Sequence, residues 1–208
     1  MISVKDLLHT FDDGTSLKFP NWEIGGGQHS LILGASGCGK TTFLHLLSGL
    51  LKIQQGKIAI NGEDLSAFST AQLDHFRGQH IGFVFQKPHL IHALTVYENI
   101  LLAPFFGRKK DSAKRAKHLM EELGILSLKN KAVSQISQGQ AQRVAIARAV
   151  VNEPNVIFGD EPTASLDDSS CNTVIRLLKN QAEQCSATLV IATHDSRVKS
   201  EFQNQIEL

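Results

Sequence analysis

No stretch of the 208-residue chain is both long and apolar enough to cross a bilayer, and the opening Met1-Ile2-Ser3-Val4-Lys5-Asp6 lacks the basic-then-apolar pattern of a secretion signal. An intracellular protein, soluble by itself, is therefore expected. Cysteine is scarce: Cys38, Cys171 and Cys185 form an odd set without metal-type spacing, which argues against a disulfide framework and suits a reducing compartment. Charge of one sign is missing too. With a formal net charge of +1 and acids and bases interspersed, the chain offers no basic face for nucleic acid, and no nucleic-acid partner is expected. The one basic cluster, Arg108-Lys109-Lys110 with Lys114, Arg115 and Lys117, reads either as a solvated helix face or as a contact for anionic lipid heads or a partner loop. Internal repeats and low-complexity tracts are absent. His89 and His92 lack carboxylates at ligand spacing, so no metal centre is expected there.

What is present suits one domain, or a domain with a small lobe. Over residues 1–33, apolar stretches broken by Asp12-Asp13-Gly14 and Gly25-Gly26-Gly27 predict antiparallel hairpins. Strand candidates then follow at 57–60, 81–85, 156–158 and 188–192, alternating with helices, which predicts an α/β core with a mainly parallel sheet. Between about residues 88 and 136 the spacing turns helical, with Asp111 as a cap, Leu119, Met120 and Leu123 on one face, and Gly124 as a stop. The chain stops at Ile206-Glu207-Leu208, read as part of a last strand with no appended regulatory domain.

The most informative segment is Gly34-Ala35-Ser36-Gly37-Cys38-Gly39-Lys40-Thr41, which fits the phosphate-loop pattern G-x-x-x-x-G-K-[ST]. It follows the apolar run Leu31-Ile32-Leu33 and precedes an apolar helix expected over 42–51. Glycines let successive backbone N–H groups point at one anion, and the helix adds its partly positive N-terminus to the same spot. Lys40 is placed to meet the β- and γ-phosphates of a nucleoside triphosphate, and Thr41 supplies a hydroxyl for Mg²⁺. Cys38 reads either as a small filler or as a thiol whose alkylation blocks nucleotide binding.

Three further groups belong to the same chemistry. Val156-Ile157-Phe158-Gly159-Asp160-Glu161 is an apolar strand ending in two carboxylates, at the edge where open α/β sheets place their chemistry. Asp160 is expected to hold Mg²⁺, and Glu161 to orient or deprotonate the water that attacks the γ-phosphate. His194, after the strand at 188–192, is a candidate to hydrogen-bond the γ-phosphate and that water. Ser137 with Gln140 three residues on reads as a capping box, and the free N–H groups at Gly139 make a second anion site. If both anion sites cannot reach one nucleotide within a monomer, the second serves a neighbour's.

In order, the phosphate loop at 34–41, Gln86 after Phe83-Val84-Phe85, Ser137-Gln138-Gly139-Gln140, Asp160-Glu161, Ala164-Ser165-Leu166-Asp167 and His194 resemble the ATP-binding subunit of an ABC transporter. The resemblance covers nearly the whole chain. It implies a P-loop NTPase core with a mainly parallel sheet, an N-terminal antiparallel β subdomain over about 1–33 and a helical subdomain inserted at about 88–136, all within one domain over 1–208. The implied activity is ATP hydrolysis coupled to transport, with ATP and Mg²⁺ as cofactors. Nucleotide contacts would come from Gly34, Ser36, Gly37, Cys38, Gly39, Lys40, Thr41 and Thr42 of one copy and from Ser137, Gly139, Gln140 and Asp167. Metal contacts would come from Thr41, Gln86 and Asp160, and catalysis from Glu161, His194 and Gln86. Phe11 stands where the family often has an aromatic that stacks on adenine; its other reading is a hairpin core residue.

The implied partners are a second copy, paired head to tail, and an integral membrane permease that holds the chain at the inner face of the membrane. A cleft between Gln86 and the helical subdomain would receive the permease. Thr95-Val96-Tyr97-Glu98-Asn99 resembles the branch that serves lipoprotein release, macrolide export and cell division. Gln138 stands where the family's signature usually carries glycine, and as the first helical residue it needs no positive φ. The alternative class is a soluble ABC-type ATPase of cofactor assembly. The roughly fifty residues between Gln86 and Ser137 leave no room for the long coiled coil of chromosome-associated relatives.

Overall fold

The computed structural model describes residues 1–110, 112–164 and 167–208. In chain order the elements are β1 (Ile2–Thr10), β2 (Ser16–Lys18), β3 (Trp22–Ile24), β4 (His29–Leu33), α1 (Lys40–Leu47), β5 (Gln55–Ile60), β6 (Glu63–Asp64), α2 (Thr70–His80), β7 (Ile81–Val84) and α3 (Val96–Phe106). There follow α4 (Ser112–Glu122), α5 (Gln138–Val150), β8 (Val156–Asp160), α6 (Asp168–Gln184), β9 (Thr188–Ala192) and β10 (Asn204–Glu207). One sheet is antiparallel, ordered β2-β1-β5-β6 with β3 also on β1. The other is parallel, ordered β10-β4-β9-β8-β7.

The parallel sheet forms because its strands are apolar on both faces. Every residue of β8 and β9 is buried. Alternate side chains then feed two cores: Val156, Phe158, Val190 and Ile32 pack with Phe43, Leu46 and the antiparallel sheet, whereas Ile157, Leu189, Ile191 and Leu31 pack with the helices beyond α2. The strand expected at 57–60 is there, but in the antiparallel sheet. Its burial alternates, with Ile58 and Ile60 inward, and it pairs with β1 through Ile2↔Ile60 and Val4↔Ile58. That alternation marks a strand with one dry face.

Two local expectations change in the same way. The three-glycine segment does not close a hairpin: β3 pairs with β1 and β4 enters the parallel sheet, so residues 25–28 carry the chain from one sheet to the other. Helix α1 begins at Lys40 and ends at Leu47, short of residue 51. Gly49 takes φ +67°, and its N–H and that of Leu50 turn back to the carbonyls of Leu46 and His45, ending the helix.

Helix α2, which the apolar spacing did not announce, starts at a Ser69–Gln72 capping box. In the helical segment, α3 packs on α4 and α5, and Leu119, Met120 and Leu123 are all buried. Gly124 follows α4 and donates to the carbonyl of Glu121. The expected cap at Asp111 lies outside the described residues. Asn99, fully buried, binds the backbone of Ile91 at both N–H (2.7 Å) and carbonyl (3.1 Å). Arg148 donates to the carbonyls of Pro88 and His89. The loop that follows Gln86 is thus tied to α3 and α5.

Candidate functional site

Four parallel strands deliver their carboxyl ends to one edge: β4 to the loop at 34–39, β7 to Gln86, β8 to Asp160-Glu161, and β9 to Thr193-His194. Between them lies a cleft of about 300 Å³ lined by Ser36, Gly37, Gly39, Lys40, Thr41, Thr42, Gln86, Glu161 and His194. The first helical turn at its floor has no side-chain cap and no acidic residue. By contrast α2, α3 and α5 each begin with a capping box and α6 with Asp167 as N-cap. Helix α1 therefore keeps its first-turn N–H groups for an anion in the cleft.

Gly34 shows how tightly the loop is wound. Its φ is +157°, and a Cβ there would lie 2.5 Å from Cys38 Sγ and 2.9 Å from the carbonyl oxygen of Leu208. Gly34→Ala is expected to cost about 1–3 kcal/mol in chemical denaturation and to weaken nucleotide binding at least tenfold in a fluorescence titration. Lys40, only 7% exposed, donates from Nζ to the carbonyls of Gly34 (2.9 Å) and Ala35 (3.0 Å), which holds its charge over the loop.

Asp160 is also 7% exposed, and burial pushes its carboxyl up from the ordinary range. The Thr41 hydroxyl donates to Asp160 Oδ1 at 3.1 Å and partly offsets that shift. A hydroxyl and a desolvated carboxylate side by side form a donor set suited to a hard cation, so the residues fit Mg²⁺. His45, one turn along α1 from Thr41, packs against Phe83 and Phe85, and burial pulls its pKa down.

Glu161 is the best-held group of the site. Its backbone turns to φ +46°, an uncommon conformation for a non-glycine residue, while its N–H donates to Ala192 in β9. That turn brings the carboxylate round to the end of β9. There Oε2 accepts from the Thr193 hydroxyl at 2.9 Å, and Oε1 accepts from the His194 backbone N–H at 3.2 Å. His194 Nδ1 lies 2.7 Å from the same Oε1, and Lys40 Nζ 3.7 Å away. A carboxylate fixed by donors on one side and facing the cleft on the other is built to hold one water in one orientation.

The remaining candidates stand apart from this cluster. Ser137 accepts from the Gln140 N–H at 3.3 Å and donates its own N–H to Gln140 Oε1 at 2.9 Å, so the capping box is formed. Ser137 and Gly139 are exposed, and no α5 residue lines the cleft. Asp167 caps α6, accepting from the Ser170 N–H at 2.9 Å; the run's Ser165 and Leu166 lie outside the described residues. Phe11 sits at the β1–β2 turn, 37% exposed and edge-on to His9, so it is not a hairpin core residue. Thr193, which orients Glu161, was not among the sequence candidates. The Thr193-His194-Asp195 triplet was its only sign.

A family profile described as "ABC transporter" matches residues 17–164. The chain belongs to the ABC transporter ATP-binding family. Among curated relatives, this ABC cassette is 42% identical to the bacitracin export ATP-binding protein BceA of Halalkalibacterium halodurans over 171 residues, 81% of the chain and 68% of the relative. It is 36% identical to the lipoprotein-releasing system ATP-binding protein LolD of Leptospira interrogans over 208 residues, 100% of the chain and 88% of the relative. Among solved structures, the dimeric bacterial ABC transporter cassette MJ0796 superposes with a TM-score of 0.90 at 34% identity, covering 100% and 94% of the two chains. A dimer of MJ0796 in a post-hydrolysis state with ADP and Pi superposes at 0.86 and 33% identity, over 100% and 94%.

The ABC cassette is accordingly an ATP-binding, ATP-hydrolysing transporter subunit of the lipoprotein-release and export branch. These relatives favour the transporter over a soluble cofactor-assembly ATPase. No described helix is long and apolar enough to cross a membrane.

Proposed function

We propose that two copies of the cassette pair head to tail around two ATP molecules, each nucleotide held by the phosphate loop of one copy and by Ser137, Gly139 and Gln140 of the other. The observation that carries this reading is the separation within one chain. Lys40, Thr41, Gln86, Glu161 and His194 share a cleft, whereas the exposed, capped start of α5 lies outside it. An isologous two-fold contact, in which the phosphate loop of each copy faces the α5 start of the other, supplies the missing half.

In this assembly the loop at 34–39, with Lys40, Thr41 and Thr42, binds and orients the triphosphate. Thr41, Asp160 and Gln86 would hold Mg²⁺, which would supply charge neutralisation for the triphosphate. Glu161, steadied by Thr193 and His194, orients and takes a proton from the attacking water as the bond between the γ-phosphorus and the β-phosphate oxygen breaks. His194 hydrogen-bonds the γ-phosphate. Asp167 contributes from the neighbouring copy, and Phe11 stacks on adenine from the hairpin turn.

The other partner is an integral membrane permease that keeps the cassette at the inner face of the membrane. A groove of about 820 Å³ between α2, β7, α3 and α5 is its docking place, with Phe106 on its lip. Phe105 and Phe106 are 75% and 71% exposed, a paired apolar surface at the end of α3 that suits a protein contact. Gln86 lines the cleft and follows β7, whose Ile81, Gly82 and Phe83 line this groove, so β7 connects the two. Closure and release around ATP would then move the permease.

The dimer reading is tested by dilution. With saturating Mg-ATP and no membrane subunit, activity per chain is expected to rise with protein concentration and to level off where sedimentation velocity shows a dimer. Activity per chain that stays constant down to concentrations where only single copies sediment would end the shared-site account.

A further inference from the structure

Asp195, the residue after His194, holds its carboxylate among three segments of the site. Arg197 meets it as a fork, with Nε 2.9 Å from Oδ1 and Nη2 2.6 Å from Oδ2. The Thr163 hydroxyl and the Cys171 thiol reach the same Oδ2 at 3.5 Å and 3.8 Å. Thr163 lies two residues past Glu161, and Cys171 is on the first turn of α6. The second arm of the guanidinium, Nη1, bonds Asp168 Oδ1 at 2.5 Å. Asp168 opens α6, directly after its N-cap, Asp167. Hydrogen bonds from Arg197 hold the Asp195 carboxyl down at about 2, and the two carboxylates push the guanidinium up from its ordinary value.

We infer that Arg197 is a positioning residue: forked on Asp195 and bridged to Asp168, it holds the N-terminus of α6, with Asp167, in register with the Glu161–His194 pair. The inference rests on the head-to-tail reading, in which Asp167 serves the site shared with the other copy. Arg197 acts through Asp195 and Asp168. Lysine would not replace it, because an ammonium cannot present a fork to one carboxylate and a further donor to another.

The arrangement predicts where its effect falls. The Asp168 side chain is 85% exposed and that of Arg197 36%, so in a single chain water screens the bridge and it adds little to stability. On closure of two copies around ATP, the α6 N-terminus is covered, screening drops, and a fixed fork holds its geometry where a loose one does not. Removal of the bridge therefore weakens the closed pair and the chemistry done in it, and spares nucleotide binding by one chain.

The experiment compares Asp168→Asn, Arg197→Lys and Arg197→Ala, each alone and combined with Glu161→Gln. Asp168→Asn changes an exposed group and leaves the fork on Asp195 in place, so the fold is not at risk. Binding of fluorescent ATP by the single chain is expected to stay within about twofold, kcat to fall about tenfold with KM for ATP little changed, and the concentration for half-dimerisation with ATP in the Glu161→Gln background to rise about tenfold. Arg197→Lys should behave like Asp168→Asn, and Arg197→Ala worse. If Glu161→Gln alone stays monomeric with ATP, the head-to-tail reading fails first. If it dimerises, and Asp168→Asn then dimerises and turns over as its unsubstituted counterpart does, Arg197 positions nothing. A defect confined to Arg197→Ala, matched by lower melting temperature and weaker ATP binding, also overturns the inference.

Discussion

Glu161→Gln is expected to lower ATP turnover by about 10³-fold, to leave ATP binding intact and to trap an ATP-dependent dimer. The loss follows from chemistry: a positioned carboxylate acting on water contributes about 10²–10⁴ in rate, roughly 3–5 kcal/mol of barrier, and an amide of the same shape cannot take the proton. Fold and binding survive because the amide keeps most of the contacts. Its oxygen can accept from the His194 N–H, and its NH₂ can face the Thr193 hydroxyl, which rotates to accept. Binding gains as well, since the substitution removes a negative charge 3.7 Å from Lys40 and leaves the cleft more positive toward a triphosphate. With hydrolysis blocked, nothing releases the closed pair. Single-turnover kinetics, nucleotide titration and size exclusion with ATP check the three parts, and a monomer at saturating ATP would be the damaging result.

The phosphate loop, the paired acids at the end of β8 and His194 were legible in sequence because each follows a short apolar run, and parallel strands deliver what lies at their carboxyl ends to one edge. That geometry needs no knowledge of packing. The capping box at Ser137–Gln140 was legible for a similar reason, being local over four residues. Gln86, by contrast, entered through resemblance alone, and its place beside Lys40 depends on β7 lying next to β8, a long-range pairing. Thr193 went unnoticed because its value lies in a backbone turn at Glu161 that no residue type announces. The strand at 55–60 was found but put in the wrong sheet. Residues 57–60 contain two isoleucines either side of an alanine, and only the pairing with β1 decides which face is dry. Arg197 shows the same limit more sharply: Asp168 is 29 residues away, and nothing in the run 193–199 points to it.

The sharpest consequence of a divided site appears on mixing two inactive proteins. Lys40→Ala removes the buried charge above the phosphate loop, and turnover is expected to fall at least about 10²-fold, as when a preorganised group facing developing charge is lost. Gly139→Glu attacks the other half. A Cβ at Gly139 meets nothing within 4 Å, and a carboxylate in the first turn of a helix is electrostatically tolerated, so a single chain should fold and bind ATP as before. Facing the γ-phosphate of a neighbour's nucleotide, the same carboxylate meets like charge, and turnover is again expected to collapse. In an equal mixture half the dimers are mixed. Each mixed dimer carries one site with both defects and one with neither, so single-turnover amplitude should recover to about a quarter of that of the unsubstituted protein. Recovery of that size requires the two halves to come from different copies. If both substitutions acted within one chain, no mixture could rebuild a site, and the amplitude would stay at the level of the separate proteins.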